Sequence, residues 1–225
     1  MYRIHAITRF ALILFILLPG VYFPHTPTAS LPIPVTSRLV QPGERYIPDR
    51  VLFGPAPEIP ETLKPVAVAI PGHTYPVVQQ PAGQPAYVSL KPAVVTQFEL
   101  ATAAGSTIGL LAHNFLAGEA FGNVKQGQQI GLYYPHAIYR SYRVVQVLEY
   151  QALQPTSVYS DFINLAKPDV QLDSTQVFQQ VYQQGDRLVL QTCIERFGND
   201  SWGRLFVIAI PLRSMASVTW DGSMG

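Results

Sequence analysis

From residue 66 onward, short apolar runs are separated by turn residues, a pattern that predicts β-strands. Residues 66–70 form one such run before Pro71 and Gly72, and residues 86–90 and 94–100 follow, the latter with alternation. Residues 106–112 are almost wholly apolar and bounded by Gly105, which reads as a buried strand. Residues 129–134 and 139–150 are rich in Tyr, Val and Ile, the residue types that fit a pleated surface. Residues 187–192 and 205–210 complete the set. One stretch carries a helical period instead. Val177, Phe178, Val181 and Tyr182 share a face, Ser174 is placed to cap it, and Gly185 to end it. Many strands at short intervals with one or two short helices predict a mainly β molecule, a closed β-barrel or a sandwich.

The first 65 residues are different. Arg3 and Arg9 precede an uncharged apolar run at 10–23, and the next charge is Arg38. A basic flank followed by an apolar run predicts export, by a cleaved signal or a retained N-terminal anchor. The run is shorter than the ~20 residues that span a bilayer comfortably, and Pro19 and Gly20 weaken its second half as a helix. Thr28-Ala29-Ser30 could serve cleavage. Both forms place the rest of the chain outside the cytoplasm. Of the 20 prolines, 16 lie at or before Pro92, and residues 31–65 carry them repeatedly. Each proline removes a backbone donor, so this stretch predicts an extended stalk or irregular chain wrapped on the domain. The expected organisation is a signal or anchor at 1–30, a Pro-rich linker at 31–65, and one folded domain at 66–225.

Composition narrows the function classes. Fifteen basic and 14 acidic residues leave a net charge of +1, without the basic excess of a nucleic-acid binder. With 48% hydrophobic residues the chain can bury a sizeable core. The single cysteine, Cys193, excludes an intrachain disulfide and a four-cysteine zinc site. The five histidines are scattered, Glu119 stands alone six residues after His113, and no metal or other cofactor is expected. A lone thiol in an exported chain is at risk of oxidation, which makes Cys193 worth explaining.

Cys193 closes the run 188–192, and the run 205–210 begins just after Arg204. Gly198-Asn199-Asp200 between them is turn material. An antiparallel hairpin would then bring Cys193 and Arg204 together at its turn end. Opposed Cβ atoms in such a pair lie ~5 Å apart. Arginine beside cysteine favours the thiolate and can stabilise the oxyanion of acyl transfer. Arg196 competes for this role but falls in the expected loop. His113 ends the buried strand and can supply the acid/base function. Spacing alone equally admits a structural histidine, an inert buried thiol and a surface arginine.

Three local matches resemble one family, the sortases, cysteine transpeptidases of bacterial cell surfaces. Leu188 to Cys193, LVLQTC, resembles the family's T-L-x-T-C strand ending in the nucleophile, with Val189 where Thr is usual. GRLFVIA at 203–209 resembles the family's arginine and following apolar strand. LLAHN at 110–114 resembles the strand ending in its histidine, with Ala112 where Gly often stands. FGNVKQGQQIGL at 121–132 resembles the segment after that histidine, and the order His, Cys, Arg is the family's. The resemblance covers roughly the C-terminal two-thirds.

It implies a sortase-like barrel of about eight strands, with His113, Cys193 and Arg204 catalytic and Thr192 supporting the nucleophile or simply packing. The implied reaction cleaves a C-terminal sorting signal, often of LPxTG type, through a Cys193 thioester. An amine, from a peptidoglycan precursor or a pilin lysine, then takes the acyl group. The implied partners are a surface-protein substrate, that amine and, through residues 1–30, the membrane, with no nucleic acid. An exported cysteine endopeptidase and a catalytically silent peptide-binding domain remain as alternatives. Papain-like enzymes place cysteine before histidine, Glu195 spoils a caspase-like Q-A-C-x-G, and no G-x-S-x-G elbow, P-loop or dinucleotide fingerprint is present.

Overall fold

The computed structural model describes residues 59, 63–103 and 105–212. The expected export segment at 1–30 and most of the linker at 31–65 lie outside the described residues. Among the described residues, no helix is long and apolar enough to cross a membrane. Ile59 and Leu63, at the linker's end, pack against the core.

Among the described residues, ten strands form one sheet. Strands β1 (Ala67–Ile70) and β2 (His73–Gln79) make a hairpin around Gly72, whose φ of +81° suits glycine. Then come β3 (Val95–Phe98), helix α1 (Glu99–Ala103), β4 (Ile108–Leu111) and helix α2 (Glu119–Gly122). Strands β5 (Gln129–Tyr133) and β6 (Tyr139–Ala152) form a second hairpin. Short β7 (Phe162–Asn164) and β8 (Gln171–Leu172) precede helix α3 (Ser174–Tyr182), and β9 (Leu188–Arg196) and β10 (Asn199–Pro211) end the described chain. The pairing order β10-β9-β4-β3-β2-β1-β5-β6 returns to β10 through β6. The molecule is therefore mainly β, with a closed eight-stranded barrel, β7 and β8 appended at β6, and few helices.

Strand alternation produces two cores. Val68, Leu110, Ile130, Leu132, Leu190 and Val207 fill the barrel interior. On the outer face, Phe98, Leu111, Val189, Phe206 and Ile208 are covered by the apolar face of α3, Val177, Phe178, Val181 and Tyr182. A bulge in β6, between the pairs Ile208↔Gln146 and Ala209↔Val144, exchanges the two faces. Tyr142 and Val144 point in before it, and Leu148 and Tyr150 pack on the outer layer after it.

Several sequence expectations are corrected. Residues 86–90 are not a strand: the Gln80 amide donates to the carbonyls of Pro85 and Tyr87, both at 2.9 Å, and ties the segment down as irregular chain after a turn at 85–86. The run 94–100 is a strand only to Phe98, because the Glu99 N–H leaves the ladder for Gln80 Oε1 at 2.9 Å and α1 begins. Strand β2 was hidden by Pro76. The Val77 N–H donates to the Val66 carbonyl, so the nitrogen of Pro76 faces away from β1, and β3 pairs only from Val77 onward. Helix α3 is capped by Asp173, not Ser174: its carboxylate accepts from Gln176 N at 2.8 Å and the Gln176 side chain accepts from Asp173 N at 2.9 Å. Gly185, with φ +89°, follows the helix end rather than forming it.

Candidate active site

The site stands on the β9–β10 hairpin and the end of β4. Strand β9 does not stop at Cys193 but runs on to Arg196, so Arg196 is in the strand and not in a loop. The turn is Phe197-Gly198, one step earlier than the Gly-Asn-Asp cluster suggests. Both residues have positive φ (54° and 73°), which matches the strand twist of a two-residue hairpin turn. Glu195 Oε1 accepts from the Gly198 N–H at 2.8 Å and closes it. Strand β10 then bulges. Between the pairs Asn199↔Arg196 and Gly203↔Ile194, three residues of β10 oppose the single Glu195. Gly203 ends the bulge against β6, where a Cβ would lie 2.5 Å from the Tyr150 carbonyl oxygen.

Beyond the bulge, Cys193 and Arg204 are direct cross-strand partners. Alternation along both strands puts them on the outer face, with Val189, Gln191, Phe206 and Ile208. Cys193 is 6% exposed and Arg204 fully buried. The guanidinium is held by backbone carbonyls: Nη1 donates to Ser201 and Gly203, both at 2.9 Å, and Nη2 donates to Pro155 at 3.1 Å. Pro155 belongs to the β6–β7 connection, which reaches over the site. Burial pushes the Cys193 thiol up, Arg204 and a hydrogen bond from the Ser201 side chain pull it down, and the Asp200 carboxylate pushes it up again.

His113 follows β4, which runs parallel to β9 with Leu111 beside Gln191. The Ala112 N–H still donates to the Gln191 carbonyl at 3.2 Å, so His113 emerges beside the level of Cys193. It is 5% exposed, and its ring lies 5.1 Å from that of Phe115. Neither ring nitrogen has a hydrogen-bond partner among the described residues. Burial lowers its pKa, and the Val88 carbonyl offsets part of that. Asn114 Nδ2 donates to the Asp200 carbonyl at 3.1 Å, which ties the segment after His113 to the bulge beside Cys193.

Thr192 is not brought to this face. It is buried on the interior side with Leu188 and Leu190, and a Cβ on Gly118 would lie 2.3 Å from its hydroxyl. Arg196 points elsewhere, its guanidinium 4.4 Å from the Trp202 ring. The tyrosines of 133–150 divide: Tyr142 and Tyr150 are core, Tyr133 and Tyr139 exposed and in contact with each other. Glu119 opens α2. Among the described residues no three His, Cys, Asp or Glu side chains gather as metal ligands. A cavity of about 550 Å³ lies at the other end of the barrel, lined by Lys64, Gln97, Tyr134, Arg140 and Asp186 among others, and none of His113, Cys193 or Arg204 borders it.

Sequence reasoning missed Ser201, Asp200 and Asn114. Only their proximity in the sequence to Arg204 and His113 marked them, because the bulge takes Ser201 out of simple alternation.

No protein-family model and no curated protein matches the chain. Solved structures do. The chain is similar to Streptococcus agalactiae sortase C1 at 18% identity and a TM-score of 0.44, over 65% of this chain and 66% of that one. It is similar to Streptococcus suis sortase C1 at 18% identity and a TM-score of 0.44, over 66% and 72%. It is similar to sortase C from Clostridium perfringens SM101 at 17% identity and a TM-score of 0.41, over 65% and 68%.

Proposed function

We propose that this protein is an extracytoplasmic, sortase-like cysteine transpeptidase. The observation that carries the reading is the cross-strand pair Cys193↔Arg204, a nucleophile and a cation on one face. Two supports stand beside it: the Asn114–Asp200 hydrogen bond next to His113, and the sequence resemblance in the order His, Cys, Arg.

The Cys193 thiol gives its proton to neutral His113, and the sulfur attacks the backbone carbonyl of a C-terminal sorting signal of LPxTG type. Arg204 stabilises the oxyanion that develops. As the C–N bond breaks, the His113 imidazolium protonates the departing amine and a Cys193 thioester remains. An incoming amine, from a peptidoglycan precursor or a pilin lysine, loses its proton to His113 and takes the acyl group, and the thiol is regenerated. Thr192, on the opposite face of β9, packs in the barrel interior beside Gly118 and takes no part in these steps. Residues 1–30 hold the chain at the membrane or direct its export, and 31–65 act as the spacer.

The burial of thiol and imidazole favours one other reading, a catalytically silent surface domain that binds peptides. Intact-protein mass spectrometry separates the two. The full chain is incubated with a panel of sorting-signal peptides beside Cys193→Ala, His113→Ala and Arg204→Ala. A mass gain equal to the N-terminal peptide fragment, absent in Cys193→Ala and discharged by triglycine, is expected. Discharge only by water would leave a cysteine endopeptidase. No adduct with any peptide, together with slow alkylation of Cys193 at mildly acidic pH, would favour the silent domain.

A further inference from the structure

His113, Cys193 and Arg204 lie in one row across the end of β4, β9 and β10. The next row on the same face, toward α3, is Leu111, Gln191 and Phe206, paired as Leu111↔Gln191 and Gln191↔Phe206. Leu111 and Phe206 belong to the apolar layer under α3, so an amide between them needs a reason. Gln191 is 4% exposed. One end of its amide is committed: the Tyr182 hydroxyl, at the end of α3, donates to Gln191 Oε1 at 2.5 Å. The two ends of a primary amide point apart, so this bond fixes which way the donor end faces. Nε2 has no acceptor among the described residues. It is also not among the unpartnered side-chain atoms that are sealed from the surface, so its N–H donors reach solvent. The opening lies on the Cys193 side. Leu111 and Phe206 flank the amide and are buried, and Tyr182 closes the strand toward Val189, where a Cβ on the paired Gly109 would lie 3.1 Å from its ring.

We infer that Gln191 is a substrate-binding residue: held by Tyr182, its Nε2 donates to a main-chain carbonyl of an extended peptide that lies across Cys193. This rests on the acyl-transfer reading of the site. The spacing supports it. Cys193 and Gln191 are two residues apart on one face of β9, about 7 Å along the strand, and an extended peptide repeats its carbonyl direction over the same two-residue distance. A peptide running along β9 with its scissile carbonyl at Cys193 therefore brings a second carbonyl to the level of Gln191. The contact reads main chain, so it aligns the peptide without choosing its side chains. Tyr182 is the positioning residue. Without its hydroxyl the amide is free to turn, and its donors lose their fixed direction.

The full chain, its Gln191→Met and Tyr182→Phe variants and the double variant are incubated with sorting-signal peptides over a range of concentrations, with the thioester read by intact mass. Iodoacetamide labelling of the single cysteine reports whether the thiol itself is disturbed. Gln191→Met keeps the length of the side chain and has no donor. It is expected to raise the peptide concentration for half-maximal rate about tenfold, while the rate at saturating peptide and the labelling change less than about twofold. Tyr182→Phe is expected to raise that concentration about threefold alone and not at all when added to Gln191→Met. A pair that only fills the layer behaves differently. Each single variant leaves a buried partner unmet and lowers the urea midpoint, the double variant restores it, and the peptide dependence stays that of the unmutated chain. An unchanged peptide dependence overturns the inference and keeps the enzyme. If Gln191→Met does not fold, the double variant, which leaves neither partner unmet, carries the same prediction. Binding of fluorescently labelled peptides to the Cys193→Ala chain, with and without Gln191→Met, is measured alongside. Binding weakened about tenfold by Gln191→Met, with no adduct in the unmutated chain, removes the transpeptidase and keeps the amide contact. Neither adduct nor binding with any peptide removes both.

Discussion

A buried guanidinium is tolerated only where its N–H donors are met, and at Arg204 the donors Nη1 and Nη2 are met by three main-chain carbonyls. The position of the cation is thus set by backbone geometry. A lysine could not serve those carbonyls from one plane, so Arg204→Lys is not a conservative change here. The opposite economy holds at the hairpin tip. Phe197 is 92% exposed and has a φ of +54°, so its ring gains nothing from burial while its Cβ is crowded by the left-handed backbone. Asparagine tolerates that conformation and is favoured before glycine in such turns. Phe197→Asn is therefore expected to raise stability by roughly 1 kcal/mol, read as a higher urea midpoint at unchanged slope. A lower midpoint would mean that the ring makes a stabilising contact that its exposure conceals.

At the scale of elements, the site is a junction of three pieces, the β9–β10 hairpin, the end of β4 and the segment leading into α2. Gly118 sits where they meet. A Cβ there would fall 2.6 Å from the His113 carbonyl oxygen and 2.8 Å from that of Ala112, and backbone cannot move aside as a side chain can. Gly118→Ala should displace the His113 segment, costing about 1–3 kcal/mol by urea denaturation and lowering adduct formation more than it lowers thiol alkylation. Equal loss of both would place the damage on β9 instead. The long strands, the apolar face of α3 and the order His, Cys, Arg were legible in the sequence because each rests on local period or spacing. Strand β2 was not, since Pro76 is harmful only where its nitrogen must donate, and that depends on which neighbour the strand meets. Strands β7 and β8, three and two residues long, are too short to show a period. The extent of β9 was hidden because the turn uses Phe197, a residue with no turn preference. Ser201 was hidden because a bulge shifts the register by an amount no alternation predicts.

Closure of the barrel surrounds the base of the site with packed strands, and this gives the whole molecule a characteristic response to pH. Burial lowers the pKa of His113 from its ordinary 6.5 and raises that of Cys193 from its ordinary 9.0, so folding favours the neutral form of both. For the histidine, the unfolded chain binds the proton more readily. Its contribution to stability is present above pH 6.5 and is lost as pH falls through the lower folded value. For the cysteine, the unfolded chain releases the proton more readily. Its contribution is present below pH 9.0 and is lost as pH rises through the higher folded value. Tyr134, Tyr142, Tyr150 and Tyr182 are also raised by burial and steepen the alkaline side above their ordinary 10.0. Thermal unfolding of the full chain from about pH 4 to about pH 10 should therefore show a stability maximum between 6.5 and 9.0. His113→Gln should flatten the acid limb and leave the alkaline one. Cys193→Ala should flatten the part of the alkaline limb that begins before the tyrosines titrate, and leave the acid one. An acid limb unchanged in His113→Gln would mean that the ring keeps its ordinary affinity for the proton in the folded chain, with the Val88 main chain offsetting the whole effect of burial.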